Sequence, residues 1–214
     1  GKTLLSLHFV AEGARRKEPS MMVEFIEDRA QIDERARTFG FDDVIHEGSD
    51  LVLFQEIPPY EMEADLIAHR IIEQVDQHGI QRLVIDSATE LQRAIDGPRQ
   101  ADFLAALVHA LRIRNVTTLI TFDVPTIVGS ELSFADSAMA VLAENLILLR
   151  QAEYQGSLYR MLSLLKLRFG PTDQRFHSYA IRAPEGIVVA GPVPVAEGWM
   201  TGVARSVVDG IRDN

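Results

Sequence analysis

The sequence predicts an α/β fold in which a mostly parallel central sheet carries helices on both faces and continues into a C-terminal antiparallel extension. In the first part of the chain, apolar strand-like runs alternate with amphipathic helix-like segments four times, which is typical of parallel sheets covered by helices. In the second part, strand-like runs follow one another across short turns. Parallel sheets bind ligands outside the carboxyl ends of their strands, so we expect functional residues there.

Composition limits the classes of function to be considered. The chain has 214 residues, 47% of them apolar, which is enough for one domain with a full core. Its net charge of −10 disfavours nucleic acid and acidic membranes as general partners and favours proteins, small molecules and metal-bound anions. The absence of cysteine excludes disulfides, thiolate catalysis and cysteine-ligated zinc. Since no apolar run reaches the roughly 20 residues of a membrane span, a cytoplasmic protein is expected.

The elements of the first half are predicted from apolar spacing and from end signals. Residues 2–16 place Leu4, Leu7, Ala11 and Ala14 on one helical face, and the segment RRKEPS ends that helix with charges and a proline. The segment FGFDDVIHEGSD is expected to be a loop. The other expected elements are strands at 21–26, 51–57, 82–87 and 117–124, and helices at 30–38, 62–77 and 99–112.

The second half is predicted to form consecutive strands at 145–154, 157–169, 177–183 and 186–191. The segments QG, FGPTD and PEG that separate them are short enough for hairpin connections. Residues 199–212 are expected to form a last short helix.

The chain begins with Gly1, Lys2 and Thr3, which match the last three residues of a phosphate-binding loop. In such a loop the lysine neutralises the β- and γ-phosphates, the threonine hydroxyl ligates Mg²⁺, and the helix N-terminus presents amide groups to the anion. The alternative for Gly-Lys-Thr is a chance terminus. The full pattern needs about five more residues upstream, so we expect the natural chain to begin earlier: either this sequence is a fragment, or the preceding residues were not resolved.

A phosphate site of this kind also requires an aspartate at the end of a second strand, where it holds the water shell of magnesium. Asp86 ends the apolar run RLVID and meets this requirement. The alternative is a helix N-cap or turn residue, because aspartate is common after strands. The presence of Gly-Lys-Thr before the first helix favours the magnesium role.

Hydrolysis needs a carboxylate that orients or deprotonates the attacking water. Glu27 and Asp28 follow the carboxyl end of the predicted strand MMVEFI. Glu24 lies within that strand and is less well placed to contact the water. The alternative is that Glu27 and Asp28 only start the next helix, where acidic residues suit the helix dipole.

Four segments resemble, in order and spacing, the KaiC circadian-clock ATPases: GKTLLSLHFVAEG, VEFIEDRAQIDERARTFGFD, VIDSATEL and ENLILLRQAEYQGSLYRMLSLLKLR. This family is a branch of the RecA-like P-loop proteins, so the resemblance implies a RecA-like P-loop fold that binds ATP with Mg²⁺. It covers residues 1–191, expected to form an ATPase domain whose first strand and most of whose P-loop lie upstream. Residues 192–214 are expected to be a C-terminal tail that contains the short helix.

The most specific part of the resemblance is LLKLRFG. Family members carry a Lys-x-Arg at the end of a strand, and its two cations reach the nucleotide of the neighbouring subunit in a hexameric ring. The resemblance therefore implies that Lys166, Leu167 and Arg168 belong to a nucleotide site shared between subunits, with Arg160 near the phosphates. The alternative is a solvated edge strand with alternating charges.

Further positions follow from the same resemblance. It implies that Phe39 stacks on the adenine, although core packing is the equal alternative. Where the family has two adjacent glutamates this chain has Ile26 and Glu27, so the residue usually credited with activating water is missing. Where the clock protein phosphorylates itself on a serine and a threonine this chain has Ala140 and Val141, which excludes autokinase activity at that place.

The leading functional interpretation is an ATP-binding, Mg²⁺-dependent ATPase that assembles into a ring and signals to partner proteins through its nucleotide state. The first alternative is a nucleotide-sensing scaffold that does not hydrolyse ATP, which Ile26 favours. A RecA-type DNA-binding protein would share the fold. The acidic balance and the absence of a Lys/Arg cluster in PTIVGSELSFAD argue against DNA binding.

Overall fold

The computed structural model describes residues 1–58, 63–123, 142–154 and 156–193, and the backbone of residues 196–197 and 203–206. The chain forms two compact units, Gly1–Asp123 with Arg182–Gly186 and Val124–Ile181 with Ile187–Asn214. The strands within these described residues are arranged in one four-stranded and one six-stranded sheet.

The first unit contains a parallel sheet with helices. Its elements in chain order are α1 (Lys2–Arg15), β1 (Ser20–Glu24), α2 (Arg29–Thr38), β2 (Val52–Glu56), α3 (Ala64–His78), β3 (Arg82–Asp86), α4 (Ala88–Arg93), a 3₁₀ turn (Gly97–Arg99), α5 (Gln100–Arg112) and β4 (Thr117–Ile120). The strand order is β2-β1-β3-β4, and every neighbouring pair is parallel. The predicted RecA-like P-loop α/β arrangement is confirmed.

Helices pack on both faces of this sheet. The central strand β1 buries all 5 of its residues, and its odd-numbered residues pack against α3 and α5. On the other face α1 comes so close that a Cβ atom on Gly13 would collide with Ser20 and Arg82. Strand residues alternate between faces, so Glu24 and Asp86, which are register partners, lie on the α1 face.

Local signals explain where several helices begin and end. Asp28 and Gln31 form a capping box at the start of α2, with bonds of 2.9 and 3.0 Å. Helix α3 ends at Gly79, which adopts the left-handed conformation with φ 60°. Helix α4 was not expected, because its 6 residues are too few to show a helical period. None of the helices that the structure describes is long and apolar enough to cross a lipid bilayer.

The six-stranded sheet contains β5 (Asn145–Tyr154), β6 (Ser157–Leu167), β7 (His177–Arg182), β8 (Gly186–Pro192), β9 (Ala196–Glu197) and β10 (Val203–Ser206). Its strand order is β8-β7-β6-β5-β10-β9. The β5–β6 and β6–β7 pairs are antiparallel, as predicted for the extension. The β10–β5 pair is parallel, which the sequence did not indicate.

The expected helix at 199–212 is wrong for Val203–Ser206, which form strand β10. This strand pairs Val203 with Glu153 and Ala204 with Tyr154 of β5, and it also pairs with β9. An edge strand has unpaired backbone N–H and C=O groups. Strand β10 pairs with part of the edge of β5 that β6 does not cover. The remaining residues of the expected helix lie outside the part of the chain that the structure describes.

Candidate functional site

The amino-terminal end of α1 lies at the carboxyl edge of the parallel sheet. Lys2 donates from Nζ to Oδ1 of Asp123 at 2.6 Å, and Asp123 follows shortly after the end of β4. Gly1 is the N-cap of α1, and its carbonyl accepts a hydrogen bond from Leu5 at 3.0 Å. Thr3 lies in the first turn of α1 and is partly buried. The three residues of the predicted phosphate motif therefore lie where parallel sheets bind ligands.

Asp86 is the last residue of β3 and is only 6% exposed. Its Oδ1 accepts a hydrogen bond from the hydroxyl of Thr121, whereas its buried Oδ2 has no hydrogen-bond partner. A buried carboxylate oxygen without a partner is costly, so this atom is available to a ligand. Ser87, and not Asp86, occupies the N-cap position of α4, so the helix-cap alternative does not apply.

Glu24 is the last residue of β1 and lies beside Asp86 on the neighbouring strand. It is 2% exposed, and its Oε1 is buried without a hydrogen-bond partner. Burial, followed by the negative charges of Asp86 and Glu27, raises the pKa of Glu24 to about 9. Arg35 and the backbone amide of Glu27 act in the opposite direction. Glu24 is therefore mostly protonated at neutral pH when nothing is bound.

The sequence predicts a strand that extends to Ile26, which places Glu24 inside the strand and favours Glu27 at its carboxyl end. The observed strand ends at Glu24, so Glu24 and Asp86 occupy equivalent positions at the ends of neighbouring strands. A signal existed in the sequence, since both acids follow apolar residues at the end of a buried strand. The register that brings them together depends on pairing between distant segments and could not be read from the sequence.

Glu27 lies in the bend between β1 and α2. Its Oε1 accepts a hydrogen bond from Arg35 at 2.8 Å, and its Oε2 is buried without a partner. Ile26 is 71% exposed and turns away from the core. Asp28 caps α2, so of the two acids predicted at this edge, Asp28 serves the helix and Glu27 retains one unpaired oxygen.

The predicted adenine-stacking residue lies at the end of α2. Phe39 is the C-cap of α2 and is partly exposed. Two residues later Phe41 is 3% exposed, and its ring contacts the edge of the His8 ring at a centroid distance of 4.7 Å. Phe41 thus supplies core packing here, whereas Phe39 is only partly buried.

The three cationic residues predicted for the shared nucleotide site, Arg160, Lys166 and Arg168, belong to the second unit and lie on β6 or just after it. Arg160 is exposed and pairs in register with Gln151, whereas Lys166 pairs with Leu146 and donates from Nζ to the carbonyl of Ala143 at 2.7 Å. An extra residue in β6 forms a bulge between these two positions. Because Gln151 and Leu146 are an odd number of residues apart, Arg160 and Lys166 project from opposite faces of the strand pair.

Leu167 is the last residue of β6, and the exposed Arg168 follows it. The backbone amide of Arg168 donates to the carbonyl of Glu144 at 3.1 Å, and its guanidinium lies 5.7 Å from the centroid of the Phe169 ring. Arg168 is thus anchored by its backbone while its side chain remains accessible. Ala140, Val141 and the segment PTIVGSELSFAD lie outside the described residues.

The oxygen atoms at the sheet edge fit a magnesium ion in part. Mg²⁺ prefers carboxylate and hydroxyl oxygens and keeps several of its waters. Asp86 offers an unpaired buried oxygen, and Thr3 offers a hydroxyl in the first turn of α1. Within the described residues no cluster of three or more His, Cys, Asp or Glu side chains could hold a metal ion, so water and phosphate oxygens would complete the shell.

Comparisons with known proteins show which family this chain resembles. A family model described as "ATPase: KaiC" matches residues 1–193. The chain is similar to "Circadian clock oscillator protein KaiC 1" of Synechocystis sp. (strain ATCC 27184 / PCC 6803 / Kazusa), with 24% identity over 228 residues that cover 100% of this chain and 43% of the relative. It is also similar to "Circadian clock oscillator protein KaiC" of Prochlorococcus marinus subsp. pastoris (strain CCMP1986 / NIES-2087 / MED4), with 26% identity over 185 residues, 85% of this chain and 35% of the relative.

A third relative, "Circadian clock protein KaiC3" of Synechocystis sp. (strain ATCC 27184 / PCC 6803 / Kazusa), is 24% identical over 204 residues, 94% of this chain and 40% of the relative. The chain thus spans less than half the length of these relatives. The family match covers the four-stranded sheet and strands β5 to β8 of the six-stranded sheet. This chain belongs to the KaiC ATPase family.

Proposed function

We propose that this chain binds ATP with Mg²⁺ at the carboxyl edge of its parallel sheet and hydrolyses it in a ring of subunits that signals to partner proteins. The observation that carries the proposal is the presence at one edge of Lys2, at a helix N-terminus, and Asp86, with its buried unpaired oxygen. Membership of the KaiC ATPase family supports the ATPase activity. The relatives are named as circadian clock proteins, which supports a signalling role.

Lys2 has the position and the freedom to bind phosphate. Its partner Asp123 is 59% exposed and Lys2 itself is 39% exposed at the side chain, and such surface ion pairs contribute about 0–1 kcal/mol. A phosphate group can therefore displace Asp123 from Lys2 at little cost. The amides at the start of α1 add favourable dipoles for an anion.

Magnesium, when bound, neutralises charge on the phosphate oxygens. The Thr3 hydroxyl and the unpaired Oδ2 of Asp86 are the groups that would hold it. Thr121 holds the other oxygen of Asp86, which fixes the orientation of the carboxylate. The ligand geometry of Asp86 is therefore set before the ion arrives.

Glu27 is the candidate group for orienting the attacking water. Arg35 holds one of its oxygens at 2.8 Å and the other oxygen is unpaired, so Glu27 has one acceptor left for a water. A non-hydrolysing nucleotide sensor is the second candidate function. Its specific support is Ile26, a 71% exposed apolar residue next to Glu27 that can neither accept nor donate a proton.

Residues of the second unit would complete the nucleotide site of a neighbouring subunit. Arg168 has an accessible guanidinium on an anchored backbone, as a residue that stabilises phosphate charge in trans requires. Lys166 and Leu167 precede it at the end of β6. Phe39, which is partly exposed, is the candidate residue for stacking on adenine. Arg160 lies on the opposite face of the strand pair from Lys166. The two side chains would therefore not approach the same nucleotide from one face, which makes Arg160 a weaker candidate for the phosphate site.

Calorimetry of ATP binding with Mg²⁺ to the natural protein tests the proposal. Lys2→Ala should weaken binding by about tenfold to a hundredfold, since hydrogen bonds to charged groups contribute about 1.5–3 kcal/mol. Arg16→Ala removes a cation from the opposite end of α1 and should leave the affinity unchanged. Equal affinity in the wild type and Lys2→Ala would remove the nucleotide site from this edge.

A further inference from the structure

We propose that Glu24 and Asp86 together form a divalent-cation site that binds its ion in the absence of nucleotide, with Glu24 as the second carboxylate ligand. This site rests on the proposed function in its use of Asp86 as a cation ligand. The cation site goes beyond the proposed function in two respects. It uses Glu24 as a ligand, and it binds its ion without ATP, whereas an ATP–Mg²⁺ site at this edge requires neither.

The strand register places the two carboxylates side by side. Glu24 and Asp86 are register partners on neighbouring parallel strands, and each is the last residue of its strand. Their side chains therefore leave the same face of the sheet from backbones about 4.8 Å apart. An ion that holds oxygen ligands at about 2.1 Å can bridge two such carboxylates.

Each carboxylate has one satisfied and one unsatisfied oxygen. Asp86 accepts from Thr121 through Oδ1, and the Glu24 carboxylate accepts from the backbone amide of Glu27. The remaining oxygens, Oδ2 of Asp86 and Oε1 of Glu24, are both buried without a hydrogen-bond partner. Buried polar atoms are normally satisfied, so two neighbouring exceptions indicate a shared ligand.

The charges around the pair favour a cation over a structural explanation. Among the described residues neither Glu24 nor Asp86 forms an ion pair, and the nearby Arg35 is bonded to Glu27. A divalent ion that displaced the proton of Glu24 would satisfy both oxygens and balance both carboxylate charges.

Mn²⁺ is a suitable probe because the electron paramagnetic resonance signal of the free ion reports binding directly. The natural protein, without nucleotide, is titrated with Mn²⁺. We expect the wild type to bind one ion per subunit and Glu24→Gln and Asp86→Asn each to weaken binding at least tenfold. Glu56→Gln removes a carboxylate from the end of β2, the other register neighbour of Glu24, and should change the affinity less than twofold.

The thermal unfolding of the wild type gives a second measurement that needs no variant. Mn²⁺ without nucleotide should raise the Tm, because a ligand that binds the folded state stabilises it. The proposal is overturned if Mn²⁺ neither binds nor raises the Tm, if Glu24→Gln binds as the wild type does, or if Glu56→Gln is as weak as Glu24→Gln. If ATP–Mg²⁺ still binds in those cases, only the Glu24 site is wrong. If ATP–Mg²⁺ does not bind to the wild type, the proposed function fails independently.

Discussion

At the scale of single residues, two glutamates at the carboxyl edge of the parallel sheet, three positions apart, differ in burial and in hydrogen bonding. Glu24 ends a buried strand and is 2% exposed, whereas Glu27 lies in the following bend and is held by Arg35 at 2.8 Å. Burial therefore governs the protonation of Glu24, and an ion pair governs the position of Glu27. The two acids suit different roles at one edge.

The raised pKa of Glu24 predicts a pH dependence of stability. Because this pKa is about 9 in the folded chain against 4.5 ordinarily, the folded state keeps a proton that the unfolded state loses. The contribution of Glu24 to the free energy of unfolding should therefore be fully present below pH 4.5 and be lost as the pH rises towards 9. Asp86, Glu27 and Arg35 are the charged groups that act on Glu24. Glu24→Gln should remove this part of the decline.

Urea denaturation across that pH range, with a chelator present, measures the effect. The wild type should lose more stability than Glu24→Gln as the pH rises, while Glu56→Gln, at an exposed strand end, should keep the slope of the wild type. Parallel curves for the wild type and Glu24→Gln would show that Glu24 ionises normally in the folded protein.

The residues at positions 26 and 27 predict changes in turnover. Ile26→Glu should raise the rate of ATP hydrolysis, and Glu27→Gln should abolish whatever rate exists, because general-base catalysis contributes on the order of a hundredfold or more. Phosphate release by the intact protein measures both, with Glu56→Gln as the control that should not change. A rate unaffected by either substitution would mean that neither position touches the water.

At the scale of elements, the bulge in β6 decides which cations can act together. The period of two along a strand predicts that Arg160 and Lys166 share a face. The extra residue in β6 reverses the alternation between them, so Lys166 shares the face of Leu146 and Arg160 that of Gln151. A bulge is hard to predict from sequence. The faces on which Arg160 and Lys166 lie are therefore known only from the pairing of β6 with β5.

The start of β8 provides a prediction about stability. Gly186 has φ 78°, and a Cβ atom added there would collide with the ring of His8, which packs against Phe41. Gly48 has φ 80° and no atom within 4 Å of an added Cβ. Gly48→Ala should therefore cost only the left-handed backbone strain of about 1–2 kcal/mol. Gly186→Ala should cost a further ~1–3 kcal/mol from overpacking.

Thermal or urea unfolding of the two alanine variants separates backbone strain from collision. Equal losses of stability in Gly186→Ala and Gly48→Ala would show that the ring of His8 moves aside freely. A larger loss in Gly186→Ala that disappears in the His8→Ala background would assign the difference to that ring.

At the scale of the whole molecule, a shared active site predicts complementation between inactive subunits. Lys2→Ala and Arg168→Ala should each inactivate a pure ring, yet mixed rings should regain activity. An interface is complete where an Arg168→Ala subunit supplies its lysine and its neighbour supplies the arginine. Random equal mixing makes about a quarter of the interfaces complete, and recovery can fall below that because residues that act together are non-additive.

Turnover of mixed rings, after subunit exchange has been verified, measures this recovery. Mixing Lys2→Ala with the double variant Lys2→Ala/Arg168→Ala is the control, because no subunit then has an intact lysine and no activity should return. Zero activity in rings that contain both single variants would place the arginine in cis or give it a structural role.

Much of the fold was accessible from sequence because it depends on local patterns. The strand at 145–154 was predicted with the observed bounds, and α2 differs by one residue, because period and capping signals are local properties. Helix α4 and strand β10 were not predicted, because one is too short for a period and the other is stabilised by the edge of β5.

By itself the sequence determined that Lys2 begins a helix and that Asp86 ends a buried strand, because both follow from residues close in the chain. Only the tertiary structure decided that Lys2 reaches Asp123, that Glu24 stands beside Asp86, and that both acids keep an unpaired buried oxygen. The physical reason is that strand register and burial arise from contacts between distant segments, which no local pattern encodes.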